Sequence, residues 1–160
     1  MSKSVILHNM FSWRVVKKRI VRPKLKPKAT TYILHKEAAR IVINGRLEFF
    51  NADTLFIYRR VSIRDQKRCW GSCSSKGNLN FSYKLLFLPP CLRDYIIVHE
   101  LCHLLVLNHS ASFWREVEKR MPDYKSRMVH LRTIEKTIGT SVLALKKYQT
   151  SHSCLVCNQI

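Results

Sequence analysis

Apolar positions along the chain switch between helical and extended spacing, and the switches predict most of the elements. Thr30 or Thr31 can cap a helix through His35-Lys36-Glu37-Ala38-Ala39-Arg40 towards Phe50, with Leu34, Ala38 and Ile41 on one face and Asn44-Gly45 as a possible point of interruption. Leu55 to Ile63 is rich in β-branched and aromatic residues and predicts a strand. Lys76-Gly77-Asn78 marks a turn, followed by the alternating strand Leu79 to Tyr83. Pro89-Pro90 opens a second helix, almost continuously apolar from Tyr95 to Leu107. Ser110 or Ser112 can cap a helix through Phe113, Trp114, Val117 and Met121. Pro122-Asp123 restarts another through Tyr124, Met128, Leu131 and Ile134, ending near Gly139. The order predicts an α+β fold, a small antiparallel sheet packed on the second helix and the later helices. The strand at Leu79 is either an ordinary core hairpin or an exposed edge to which an extended polypeptide can add as a further strand.

Length and composition set bounds on this picture. The chain has 160 residues and is 46% apolar, which suits one domain with one core. It has no run of about 18 apolar residues, the length a membrane-spanning helix needs, so no membrane partner is expected. The N-terminal apolar run is too short for a signal peptide, and the expected location is cytoplasmic. Six cysteines in a chain without an export signal are expected to be reduced. Cys102 reads as a small apolar core residue. Cys154 and Cys157 form one C-x-x-C without a second pair, which reads as two free thiols in a tail rather than a second metal site.

Charge adds a candidate partner. Lys and Arg number 29 against 10 Asp and Glu, a formal net charge of +19. The densest block, Arg14 to Lys28, alternates lysine with proline and predicts an extended arm. Such an arm is either simply solvated or binds nucleic acid or nucleotides, although no helix-turn-helix, finger or RNA-binding aromatic motif accompanies it. The expected organisation is a basic arm over 1–28, one folded domain over 29–139 and a C-terminal tail over 140–160.

The chemistry is concentrated at His99-Glu100-Leu101-Cys102-His103, followed by His109. On a helix His99 and His103 lie one turn apart on one face, where both imidazoles can reach one ion. Glu100 then stands where its carboxylate can approach a water activated by that ion without being a ligand itself. With seven His in the chain, the box would arise by chance in roughly one such sequence per hundred, and His109 lowers this further. Left unpaired among apolar neighbours, these polar groups would cost several kcal/mol, which a bound metal would offset. On one unbroken helix His109 would lie about 9 Å along the axis from His103 and about 15 Å from His99. Ligands at about 2.1 Å cannot span that distance, so the helix must end before His109, and Asn108, which tolerates left-handed backbone, is the expected break. Three histidines leave a fourth tetrahedral position for water, as a catalytic zinc (Zn2+) site requires.

Several further motifs resemble one family. Trp70-Gly71-Ser72-Cys73-Ser74, Gly77-Asn78-Leu79-Asn80, the box with its preceding Asp94-Tyr95-Ile96-Ile97-Val98, Asn108-His109-Ser110 with Phe113-Trp114, and Pro122-Asp123 are similar, in this order, to the YgjP-like metallopeptidases, which are related to the WLM and SprT-type zincins. The resemblance spans about His35 to Leu131 and leaves the Lys/Pro arm and the cysteine tail outside. It implies a zincin-like fold, His99, His103 and His109 as zinc ligands, Glu100 as the catalytic base, and a peptide or protein substrate. Tyr95, Arg93 and Tyr124 are candidate oxyanion donors, and Asp94 and Asp123 candidate partners for the ligand histidines. Two other readings remain open on the residues: a metal-dependent nucleotide pyrophosphohydrolase, and a basic nucleic-acid-associated protein with a structural zinc. The oligomeric state is not legible.

Overall fold

The computed structural model describes residues 27–52, 56–137, 139 and 141–151. The basic stretch before Pro27 and the Cys154/Cys157 pair lie outside these residues. Helix α1 (Pro27–Asn51) runs unbroken through Asn44-Gly45. Its buried stripe is Ala39, Ile43 and Leu47, each four residues after the last and each fully buried. The expected face is therefore the wrong one: Ala38 is exposed, as are Leu34 and Ile41, at 70% and 74%. Both stripes have helical spacing, and the one that wins is extended by Tyr32, whose hydroxyl donates to Ile63 O at 2.9 Å and whose ring meets Tyr83 edge-on. At its far end the Asn51 side chain bonds both the N–H and the C=O of Phe56 and closes the connection to the sheet.

Three strands follow, β1 (Arg60–Arg64), β2 (Gly71–Cys73) and β3 (Asn78–Ser82), in the spatial order β1-β3-β2. Extended structure begins later than the apolar run from Leu55 suggests. The β2–β3 hairpin is antiparallel, with Gly71 opposite Phe81 and Cys73 opposite Leu79. It is closed by Gly77 at φ 71, a left-handed backbone that glycine adopts without strain. β1 pairs with β3 in parallel, Ile63 opposite Phe81, so the expected antiparallel sheet is mixed. Ile63, Leu79 and Phe81 point into the core.

A 3-10 turn (Tyr83–Phe87) leads to helix α2 (Pro90–Cys102), with Pro90 in its first turn. Leu92, Ile97, Val98 and Leu101 are fully buried, making α2 the central helix of the fold. Arg46 of α1 grips it through a two-pronged ion pair with Asp94, Nε–Oδ1 and Nη2–Oδ2 both at 2.8 Å. Helix α3 (Ala111–Arg120) starts after Ser110, which occupies the cap position without a side-chain cap bond. Helix α4 (Tyr124–Thr137) is tied to α2 by the buried Arg127, which donates to Asp123 Oδ2 at 2.7 Å and to Cys91 O at 3.0 Å. It ends as expected at Gly139, φ 65, whose N–H reaches back to Ile134 O. Within the segment 140–160, Val142–Ser151 forms helix α5, and its Leu145 is fully buried in the core.

Candidate metal centre

The last turn of α2 carries His99 and Glu100, and His103 is its C-cap residue. The helix ends there, five residues before the expected break at Asn108. The N–H of Leu104 bonds Leu101 O, and those of Leu105 and Val106 both bond Cys102 O, each at 3.0 Å, so the chain folds back at once. This turn aims Val106 O at His103 Nδ1, 3.0 Å away. A carbonyl only accepts, so Nδ1 carries the proton and Nε2 is left with its lone pair facing inward. The helix thus ends at His103, before Asn108, and the third histidine can return. Asn108 has a smaller part: its Oδ1 accepts from Ser110 N–H at 3.3 Å and shapes the entry to α3.

The three imidazoles converge. His99 Nε2 lies 3.2 Å from His103 Nε2 and 3.0 Å from His109 Nε2, and a ligand atom of each falls within 4.8 Å of the others. Tetrahedral ligands at about 2.1 Å from a common ion sit about 3.4 Å apart, so these nitrogens could hold one divalent metal with small adjustments. The electrostatics favour the same use. Burial, reinforced by His103 and His109, pulls His99 down to about 3, and burial also lowers His103. Both rings are therefore neutral near neutral pH, as metal ligation requires.

Aromatic rings hold the histidines in place. Phe113 stacks on His103 at 4.4 Å and 27° and meets His99 edge-on. Trp114 stacks on the exposed His109 at 5.8 Å and 26°, and is backed by Tyr124 at 5.4 Å and 16°. The Phe113-Trp114 pair thus does the supporting work expected of Asp94 and Asp123, which instead pair with Arg46 and Arg127. Trp114→Ala should lower the affinity for a divalent metal by about 10-fold, within the range for loss of an outer support. Competition against a chromophoric chelator measures this, and unchanged affinity would remove Trp114 from the site.

Glu100 follows His99 but is 6% exposed, lying between α2 and β2. Burial pushes its carboxyl up to about 8, and Oε2 is buried with no hydrogen-bond partner among the described residues. Both the glutamate and the histidines line one cleft of about 460 Å³, whose opposite wall is Cys69 to Cys73 and whose floor includes Tyr95, Leu131 and Glu135. Of the three oxyanion candidates only Tyr95 lines this cleft; burial raises its hydroxyl to about 12 and keeps it protonated. Tyr124 is stacked on Trp114, and Arg93 does not reach the cleft. β3 cannot be the exposed edge, because β1 and β2 occupy both its sides; among the described residues β1 and β2 are the two edges, and β2 is the one that lines the cleft. Cys102 is fully buried, and Cys69, Cys73, Cys91 and Cys102 form no disulfide. The element that sequence reasoning left without a role, Trp70 to Ser74, is this wall. Trp70 Nε1 donates to Glu135 Oε1 at 2.6 Å, and Ser72 Oγ accepts from Asn80 at 3.3 Å.

A zincin-like α+β fold with three histidines converging from the end of the central helix and the segment after it, beside a buried carboxylate in an open cleft, is the arrangement of a metal-dependent hydrolase. The chain belongs to the YgjP-like metallopeptidase family, whose domain model matches residues 5–134. The match starts well before His35, so the basic N-terminal stretch falls largely within the family domain rather than outside it. The chain is also similar to the metallopeptidase zymogen abylysin of Pyrococcus abyssi, seen in a crystal structure. Identity is 31%, the alignment covers 59% of this chain and 94% of that one, and the TM-score is 0.51. No curated protein matches. No helix among the described residues is long and apolar enough to cross a membrane.

Proposed function

We propose that the protein is a zinc-dependent peptidase in which His99, His103 and His109 hold the metal and Glu100 is the general base. The observation that carries this is the convergence of three imidazoles beside a buried carboxylate, without a hydrogen-bond partner for Oε2 among the described residues, lining the same cleft. Zinc bound there would supply a Lewis acid for the scissile carbonyl and lower the pKa of water towards neutrality. Glu100 takes a proton from the attacking water and delivers it to the leaving amine, a task its burial-raised proton affinity suits. Tyr95, held protonated in the cleft, is the donor available to the developing oxyanion. Among the described strands none pairs with the outer edge of β2 along the cleft wall, which suits an extended or unfolded polypeptide added as a further strand.

The test is incubation of the purified protein with denatured proteins and, separately, with a panel of nucleoside triphosphates, with and without a chelator. The expected result is proteolysis that stops on chelation and returns with zinc. Pyrophosphate release without proteolysis would overturn the peptidase assignment in favour of nucleotide hydrolysis.

A further inference from the structure

Gly71 lies where β2 comes closest to α2. A β-carbon built on it would stand 2.7 Å from Glu100 Cγ, 2.7 Å from Oε1 and 2.9 Å from Cδ. Its backbone is strand, outside the left-handed region, so the peptide geometry would accept any residue. Gly77 is the contrasting case, with φ +71 and no neighbour closer than 3.7 Å to a built β-carbon. Gly77 answers a need for backbone freedom, whereas Gly71 answers a need for space, and Glu100 fills that space.

Neither side of the contact can withdraw cheaply. β2 is pinned by its ladder to β3, by Ser82 N–H on Trp70 O at 2.8 Å, and by the Trp70–Glu135 bond across to α4. α2 is the central core helix, and Glu100 is almost wholly buried. The movable part is the carboxylate itself, which a methyl group at position 71 would push off its seat. We propose that Gly71 is a positioning residue, whose missing side chain lets the Glu100 carboxylate sit against the cleft wall within reach of the three histidines. The proposal rests on the reading of Glu100 as the base, and it assigns the Trp70-Gly71-Ser72 segment a part in catalysis: a pinned wall with one opening in it.

Gly71→Ala is expected to lower kcat about a hundredfold, as small displacements of a reacting group do. KM and zinc content should stay near those of the wild type. Glu100→Ala removes Cγ, Cδ and the carboxylate oxygens, all the atoms that a β-carbon at position 71 would meet, so the stability penalties of the two substitutions should be strongly non-additive. A thermal cycle supplies a readout independent of turnover: Gly71→Ala lowers the melting midpoint when Glu100 is present and leaves it nearly unchanged in Glu100→Ala. The cycle also decides the matter if Gly71→Ala folds poorly. A kcat within about threefold of wild type for Gly71→Ala, or equal penalties in both backgrounds, would overturn the proposal. Full activity of Glu100→Gln would overturn both this proposal and the base assignment. An inactive Glu100→Gln with an unimpaired Gly71→Ala would overturn this one alone.

Discussion

Glu100→Gln is expected to lower kcat by about 10²–10⁴-fold, the usual loss on removing a general base. Zinc should remain at one per chain, because the three imidazoles that converge on the site are untouched. Glutamine keeps the length and shape of the side chain, so it fits the slot opposite Gly71 that a branched or longer residue would not. It also removes the group whose charge the site disfavours: burial alone accounts for the rise of the Glu100 carboxyl to about 8. A neutral amide there has no charge to desolvate, so the melting midpoint should not fall. A stable, zinc-loaded and inactive protein is therefore the expected outcome, read by turnover of a denatured protein substrate, elemental analysis and calorimetry. Hydrolysis at the wild-type rate would remove Glu100 from the mechanism.

His109→Ala is expected to abolish activity by a different route, loss of the metal with the fold preserved. His109 is exposed and lies in the segment between α2 and α3, held mainly by the face of Trp114. Removing its ring leaves the core intact, so the metal-free variant should keep the far-UV spectrum and melting midpoint of the metal-free wild type. Zinc affinity should fall by more than the roughly 10–100-fold that loss of an outer support costs. The metal should then be stripped by a weak chelator that leaves the wild type loaded. His103→Ala gives the instructive contrast: His103 is buried, stacked on Phe113 and bonded to Val106 O, so its removal costs packing as well as metal. Full zinc occupancy in His109→Ala after chelator treatment would reduce the candidate set to the two histidines of the box.

Much of this site is legible in the chain because it depends on local periodicity. His99 and His103 share a helix face at any four-residue spacing, and Glu100 follows from the same turn. That the helix must end before His109 also follows from helix rise alone. Where it ends does not: the stop falls at His103, in a tight turn whose Val106 carbonyl meets the His103 ring. Local preference pointed to Asn108, and the turn is made earlier in the chain.

The same division runs through the rest of the fold. Two apolar stripes on α1 are equally helical, and the sheet and the 3-10 turn, reached through Tyr32, together with α2, gripped through Arg46, decide that Ala39, Ile43 and Leu47 go inward. The strand at Asn78–Ser82 is evident from alternation, yet its place between β1 and β2 depends on pairing with residues distant in the chain. Asp94 and Asp123 are near the box in sequence, but they face Arg46 and Arg127. Nothing in the pattern of Trp70 to Ser74 connects Gly71 with Glu100, 29 positions later.

The sequence by itself determined the candidate site: three histidines, one carboxylate, the helix that carries most of them and the family to which the chain belongs. These follow from short-range geometry, in which spacing along the chain fixes direction in space. Only the tertiary structure decided which strand walls the cleft, which rings support the ligands and why a glycine faces the carboxylate. Those are contacts between segments far apart in the chain, and spacing carries no information about them until the core has brought the segments together.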